Sequence, residues 1–286
     1  MFQRGPVFVQ SKDIDKMRKV CQLAADTLEM IGPHIRPGIS TDEINTLVHE
    51  YTLKHGARPA PLNYGGSRNK PGFPKSVCTS INDVVCHGIP GPQILKEGDI
   101  INVDVTSALP FEGKLEFYGD TSATFYVGEP DMMTKHLVEV TRHCLEIGIA
   151  EVRPGKRIGD IGAAIQEYAE SKGCSVVREY TGHGIGHVFH GAPNVAHYGR
   201  RGTGMKIQKG MCFTIEPMIN AFGADITHLN DDWTVKTVDG GYSAQFEHTI
   251  WVTEKGCEVL TKRQGLLINS EDKEWSQLGP LSCFIQ

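Results

Sequence analysis

Residues 36–56 read RPGISTDEINTLVHEYTLKHG, and residues 153–173 read RPGKRIGDIGAAIQEYAESKG. At a constant offset of 117, Arg36, Pro37 and Gly38 match Arg153, Pro154 and Gly155. The same offset pairs Ile44 with Ile161, Glu50 with Glu167, Tyr51 with Tyr168 and Gly56 with Gly173. The chain therefore carries an internal duplication. Each copy reads as helix, turn, helix. Upstream of the first Pro-Gly, Met17, Val20, Cys21, Ala24, Leu28 and Ile31 recur at helical spacing, as do Leu137, Val140, Thr141, Leu145 and Ile149 before the second. Pro-Gly breaks each helix. Ser40 or Thr41 can cap the next one, and Glu43 stands three residues after Ser40 for a capping box. Gly56 and Gly173 occupy C-terminal cap positions.

The echo continues at changed offsets, as it must where loops differ in length. Val85-Cys86-His87-Gly88-Ile89-Pro90 mirrors Val188-Phe189-His190-Gly191-Ala192-Pro193, at offset 103. KEGDIINVDVT (96–106) mirrors QKGMCFTIEPM (208–218), which sets Asp104 against Glu216. GDTSATFYV (119–127) mirrors FEHTIWVTE (246–254), which sets Asp120 against Glu247. Two such halves imply an α/β (α+β) fold with pseudo-two-fold halves sharing one sheet-lined crevice. In IINVDVT, Ile101, Val103 and Val105 share one strand face, while Asn102 and Asp104 point to the other. Phe213 and Ile215 alternate with Thr214 and Glu216 in the same way. An acid on a strand this apolar is expensive unless it has a partner.

Four carboxylates, two from each half, thus converge on one crevice. Mutual repulsion would keep some of them protonated unless cations sat among them. Two divalent ions about 3.5–4 Å apart, bridged by carboxylates, would resolve that repulsion and make a hydrolytic centre. An oxygen-rich donor set with an imidazole suits Mn, Co or Fe, with Zn as an alternative. The segment TGHGIGHVFHG (181–191) supplies His183, His187 and His190, and its glycines at 182, 184 and 186 let the backbone pass close to a ligand or metal. One histidine can bind metal while others face a substrate carbonyl or amide.

NVDVT (102–106), GDTSATF (119–125), TGHGIGHVFH (181–190), FTIEPM (213–218) and AQFEHT (244–249) together resemble the signature blocks of type I methionine aminopeptidases. These are metallopeptidases of the pita-bread fold. FPKSVCTSINDVVCHGIPG (73–91) is similar to the block that gives those enzymes a substrate-binding histidine. The resemblance implies a curved central antiparallel sheet covered by helices. It implies that Asp104 chelates one metal ion, that Asp120 and Glu247 bridge two, and that His183 and Glu216 complete the second. Glu216 would also help move the proton of the attacking water, His190 would stabilise the oxyanion, and His87 would hold the substrate amide nitrogen. Tyr64, Phe73, Cys78, Phe189 and Trp233 would line an apolar, aromatic pocket for the methionine side chain, with Trp233 read as its lid. His183 has no ligand counterpart in the first half, so the two ions should differ in affinity.

The sequence departs from the family pattern at two insertions, 65–72 and 107–118, and places Tyr118 where a histidine commonly precedes Gly-Asp. The expected layout is a tail at 1–12, one catalytic domain at 13–263 with half-repeats at 13–130 and 131–263, and a second tail at 264–286. The expected function is removal of N-terminal methionine from nascent polypeptides with a small second residue. A Xaa-Pro peptidase on the same fold and a non-catalytic binding relative are the alternatives. Such Xaa-Pro enzymes typically carry a large extra N-terminal domain, and a non-catalytic relative would have shed ligands.

The net charge of −5 and the lack of a Lys/Arg cluster argue against nucleic-acid binding. No run approaches the ~20 apolar residues of a membrane span. Eight cysteines without C-x-x-C pairs read as free thiols, and a cytoplasmic monomer acting on nascent chains, with the ribosome as a candidate partner, is expected.

Overall fold

The computed structural model describes residues 5–111 and 115–263. The expected C-terminal tail and the centre of the 107–118 insertion lie outside the described residues. The first part of the chain forms α1 (Ile14–Ile31), α2 (Thr41–Lys54), β1 (Arg58–Pro59), β2 (Cys78–Ile81), β3 (Val84–Cys86), β4 (Ile100–Pro110) and β5 (Glu116–Tyr126). Next come α3 (Met132–Ala150), α4 (Ile158–Ser171), β6 (Ser175–Val176), β7 (Gly182–Gly184), β8 (Gly191–Val195) and β9 (Cys212–Ile215). The chain continues with β10 (Met218–Asn220), β11 (Ile226–His228), β12 (Val235–Thr237), β13 (Ser243–Gln245), β14 (His248–Val252) and β15 (Cys257–Val259).

The helices form for the reasons that the spacing suggests. Met17, Val20, Cys21, Ala24, Leu28 and Ile31 are all fully buried along one side of α1. At α2 the Ser40 hydroxyl accepts from the Glu43 N–H, and the Glu43 carboxylate accepts from the Ser40 N–H. In α4 the Asp160 carboxylate takes the corresponding role toward the Arg157 N–H. Gly56 and Gly173 close α2 and α4 with φ of 75° and 79°, a left-handed turn that favours glycine.

The duplication is visible in the sheets. β2, β4 and β5 lie side by side and antiparallel, as do β7, β9 and β14. Ile81 faces Ile101 across one pair, and Gly184 faces Phe213 across the other. The offsets of 103 and 112 are therefore structurally consistent. The third pairing is different. Asp104 faces Ser122, and the register of the Ile215–His248 pair, extended by one step past the end of the ladder, sets Glu216 against Glu247. By register, then, Glu247 corresponds to Ser122, and the sequence match of Asp120 with Glu247 is two residues out. A slip of two keeps both acids on the crevice face of their strands.

The two larger sheets meet at β5 and β14. The Glu247 N–H donates to Ser122 O, Thr121 Oγ1 donates to Glu247 O, and Thr249 Oγ1 donates to Asp120 O. Behind them one apolar core joins α1 and α2 with α3 and α4. It includes Leu28, Ile44, Val103, Leu137, Ile165, Phe213 and Ile250. Seven described cysteines are free, and six of them are buried. No helix among the described residues is long and apolar enough to cross a membrane.

Residues 6–9, inside the segment read from sequence as a tail, are part of this body. Val7 and Val9 are buried. Val7 donates to Ala192 O and accepts from the Cys212 N–H, so a short extended segment completes the edge near β8 and β9. Val7, Phe8 and Val9 make an apolar run of only three, too short to define a strand from sequence.

Helix α1 rests directly on β5 at Gly119, one residue before Asp120. A Cβ at Gly119 would lie 2.7 Å from the Cys21 Cα and backbone nitrogen. Gly119→Ala should therefore destabilise the protein by about 1–3 kcal/mol, through overpacking against a backbone that cannot give. Urea denaturation measures this, and an unchanged midpoint would refute the packing argument.

Candidate metal centre

The strand alternation aims Asp104 and Asp120 into the crevice from β4 and β5. Glu216 and Glu247 reach it from the end of β9 and the start of β14. His183, on β7, lies between them. Its Nε2 is 3.5 Å from Asp120 Oδ2 and 3.7 Å from Glu216 Oε1. Its Nδ1 lies 3.2 Å from Gly184 O, which can only accept. Nδ1 therefore carries a proton, and Nε2 is the nitrogen turned toward the acids, where it donates to them when protonated and can bind metal when it is not. Ligand atoms of Asp120, His183 and Glu247 all fall within 4.8 Å of one another.

Neutral hydroxyls and amides fix these side chains. Thr106 Oγ1 donates to Asp120 Oδ1 at 2.7 Å, and Thr214 Oγ1 donates to Glu216 Oε1 at 2.6 Å. Gln245 Nε2 approaches Glu216 Oε2 at 3.3 Å. Asp104 Oδ1 and Glu247 Oε1 are buried with no hydrogen-bond donor among the described residues. Burial first, and then the neighbouring carboxylates, push the Asp104 and Glu247 carboxyls well above the usual range. Burial also raises Glu216 to about 7, against the opposing pull of His183. For His183 burial works downward, but the Asp120 and Glu216 carboxylates outweigh it and raise the imidazole.

This is a site short of positive charge. Protons could neutralise it, but two orphaned carboxylate oxygens and an imidazole nitrogen turned toward them suit a divalent cation better. The donor set of oxygens plus one nitrogen fits such an ion.

His190 stands beside the acids, its ring centroid 4.1 Å from that of His183. Its Nδ1 is buried and unpartnered among the described residues. Burial, with His183 and His87 nearby, lowers its imidazole to about 2, so it is neutral. His87 has a φ of 56° and lies edge-on to Tyr180, at 5.1 Å between centroids. Burial lowers it to about 4, so it too is neutral. His187 is exposed. His248 bonds Thr261 through Nδ1.

The aromatic residues form two adjoining groups. Tyr64 packs against Phe189 and His190, at 5.0 and 4.9 Å. Tyr118 stacks nearly parallel on Phe189, with 6° between the ring planes. Phe73 is buried and meets Trp233 edge-on at 5.4 Å. Gly65 links the groups, since a Cβ there would touch the Trp233 ring at 3.0 Å. Trp233 lies between β11 and β12. The 65–72 insertion folds as a small exposed hairpin beside it, bridged between Ser67 and Lys70, with Lys70 3.5 Å from Asp232. Cys78 faces Asp104 across the β2–β4 pair and is buried. A separate cavity of about 280 Å³, lined by Phe8, Lys209 and Trp251, shares none of these residues.

Gly182 and Gly184 make room for neighbouring strands rather than for a metal. A Cβ at Gly182 would lie 2.4 Å from Thr214 O, and one at Gly184 would lie 1.9 Å from Ala192 O. The residues missed from sequence are the supports. Thr106 stands two after Asp104 and Thr214 two before Glu216, so period-two alternation could have found both. His197, which accepts the Glu216 N–H, carries no such signal.

Comparison with known proteins agrees with this geometry. The chain is 53% identical over 251 residues to the methionine aminopeptidase of Rickettsia prowazekii, covering 87% of this chain and 93% of that one. It is 49% identical over 255 residues to the methionine aminopeptidase of Escherichia coli K12, covering 88% and 92%. The crystal structure of the Rickettsia prowazekii enzyme superposes with a TM-score of 0.85, covering 90% of this chain and all of that one. Residues 15–254 match the model of metallopeptidase family M24, Peptidase_M24. The fold is thus the pita-bread fold of these enzymes, its donor set suits divalent metal ions, and the chain belongs to metallopeptidase family M24.

Proposed function

We propose that this chain is a methionyl aminopeptidase that hydrolyses the first peptide bond of polypeptides starting with methionine. The observation that carries the reading is the convergence of Asp120, His183 and Glu247 beside two neutral histidines, in a chain about half identical to methionine aminopeptidases. Asp104, Asp120, His183, Glu216 and Glu247 would hold two divalent ions, Mn, Co or Fe before Zn. The two bridging carboxylates would be Asp120 and Glu247. When bound, such ions supply the positive charge that polarises a carbonyl and makes water nucleophilic at neutral pH.

The remaining work falls to the chain's own groups. Glu216 would take the proton of the attacking water and pass it toward the departing amine. His190, neutral and with Nδ1 unpartnered, would face the carbonyl oxygen as negative charge develops there. His87, neutral at physiological pH, would accept from the substrate amide N–H. Tyr64, Phe73, Cys78, Phe189 and Trp233 would enclose the thioether side chain, for which apolar and aromatic contacts are favourable. The Tyr118–Phe189 stack would narrow the approach and favour small second residues. A single domain at 13–263, acting as a cytoplasmic monomer on nascent chains at or near the ribosome, completes the proposal.

Asp120→Ala should leave the far-ultraviolet circular dichroism unchanged and lower kcat/KM on a Met-Ala-Ser peptide by roughly a thousandfold or more, since it removes charge from the reacting centre. Retained turnover would overturn the ligand assignment. In the metal-stripped protein, Mn²⁺ at about 100 times its Kd should add about 2.7 kcal/mol of stability, seen as a rise in Tm, and Asp120→Ala should abolish most of that gain. A peptide panel tests the substrate class. Met-Ala and Met-Gly should be cleaved and Met-Leu spared, whereas preference for a Xaa-Pro dipeptide would replace the reading with a proline-directed one.

A further inference from the structure

The two halves hold their first acid in different ways. Asp104 lies inside the unbroken β4, with Cys78 opposite it on one edge and Ser122 on the other. Glu216 lies one residue beyond the end of β9, and the next residue, Pro217, has no N–H to continue a ladder. The pairing of β9 with β14 stops at Ile215, and its pairing with β7 involves Phe213. Strand pairing therefore does not fix Glu216.

Side chains do so instead. The Glu216 N–H donates to His197 Nε2 at 3.1 Å. Gln245 Nε2 reaches Glu216 O at 3.5 Å, and Thr214 holds Oε1. Of these, His197 is the one that substitutes for the missing ladder bond. It lies two residues past β8 and is completely buried. An imidazole nitrogen that accepts a hydrogen bond carries no proton, so His197 is the Nδ1–H tautomer. Its Nδ1 is buried without a partner among the described residues. Among the described residues the His197 side chain makes one hydrogen bond, to Glu216, and a buried donor left unpaired is unfavourable unless that bond supports the fold or the site.

The seat of His197 is closely packed. The carbonyls of Ala196 and Tyr198, on either side of it, press against Gly162 of α4, where a Cβ would lie 2.6 and 2.3 Å from them. The connection from Pro193 to Gln208 that carries His197 is longer than its first-half counterpart from Pro90 to Lys96, which holds no histidine. The half with the interrupted strand is the half with the added support.

We propose that His197 is a positioning residue that fixes the backbone of Glu216, and through it the direction of the Glu216 carboxylate toward the metal site. The inference rests on the ligand assignment proposed above. Gln at 197 offers an acceptor at nearly the same reach as Nε2, whereas Met has similar length and no comparable acceptor. The test compares unsubstituted protein, His197→Gln and His197→Met by Mn²⁺ binding to metal-stripped protein, by kcat and KM on Met-Ala-Ser, and by denaturation midpoint.

His197→Met should lose roughly 10–100-fold in Mn²⁺ affinity at the Glu216 position, with kcat falling more than KM rises, while His197→Gln stays within about threefold of the original. A His197→Met protein that loses stability but binds Mn²⁺ as before would show a merely structural role and overturn the proposal. Nitrogen-15 NMR of histidine-labelled, unsubstituted protein gives a test that needs no stable variant. The Nδ1–H tautomer at His197 is expected, and an Nε2–H tautomer would overturn the proposal. If the unsubstituted protein binds no Mn²⁺ and leaves Met-Ala-Ser intact, the functional reading fails instead, and the tautomer still decides whether the His197–Glu216 bond exists.

Discussion

Four carboxyl groups facing one buried crevice repel one another, and each loses hydration on burial. Most of the architecture around the site can be understood as a response to that constraint. The acids enter from two strands of one sheet and from the ends of two strands of another, so no single element carries all of the strain. Thr106, Thr214 and Gln245 each satisfy one carboxylate oxygen. Oδ1 of Asp104 and Oε1 of Glu247 remain without a protein donor among the described residues. Those oxygens, with Nε2 of His183 turned toward them, define where positive charge belongs.

The duplication explains why such a site could be built, and also where its symmetry stops. Asp104 and Glu216 occupy corresponding positions by register, whereas Glu247 corresponds to Ser122. His183 has Ser80 as its register counterpart, and β9 ends where β4 runs on. The second half thus contributes the imidazole and the less regular backbone. Its extra supports come from residues of little regularity in sequence. The aromatic walls add a further asymmetry, because Tyr118 and Tyr64 come from the first half and Phe189 and Trp233 from the second. A substrate side chain held there would touch both halves.

Much of this was legible in the sequence for identifiable reasons. The helical stripe of α1, the capping box at Ser40 and Glu43, and the face alternation of β4 are local rules, so local residues report them. The convergence of the acids was legible only because the chain repeats itself, which turned one ambiguous aspartate into a pattern. The two-residue slip at Asp120 was not legible, since a shift of two preserves the alternation that sequence reading relies on. The crowding at Gly182 and Gly184 depends on neighbours distant in sequence, Thr214 and Ala192, and so does the bond from Glu216 to His197. Val7 and Val9 looked like part of a tail because an edge segment of a few residues has too little pattern to stand out.

On this reading the crowded acids are organised around cations. Anomalous diffraction from crystals grown with Mn²⁺, recorded near the manganese absorption edge, tests it most directly. Two peaks about 3.5–4 Å apart are expected among Asp104, Asp120, Glu216 and Glu247, with His183 beside one of them. Ordered crevice side chains with no anomalous peak at saturating Mn²⁺, or a peak bound only at the protein surface, would contradict it.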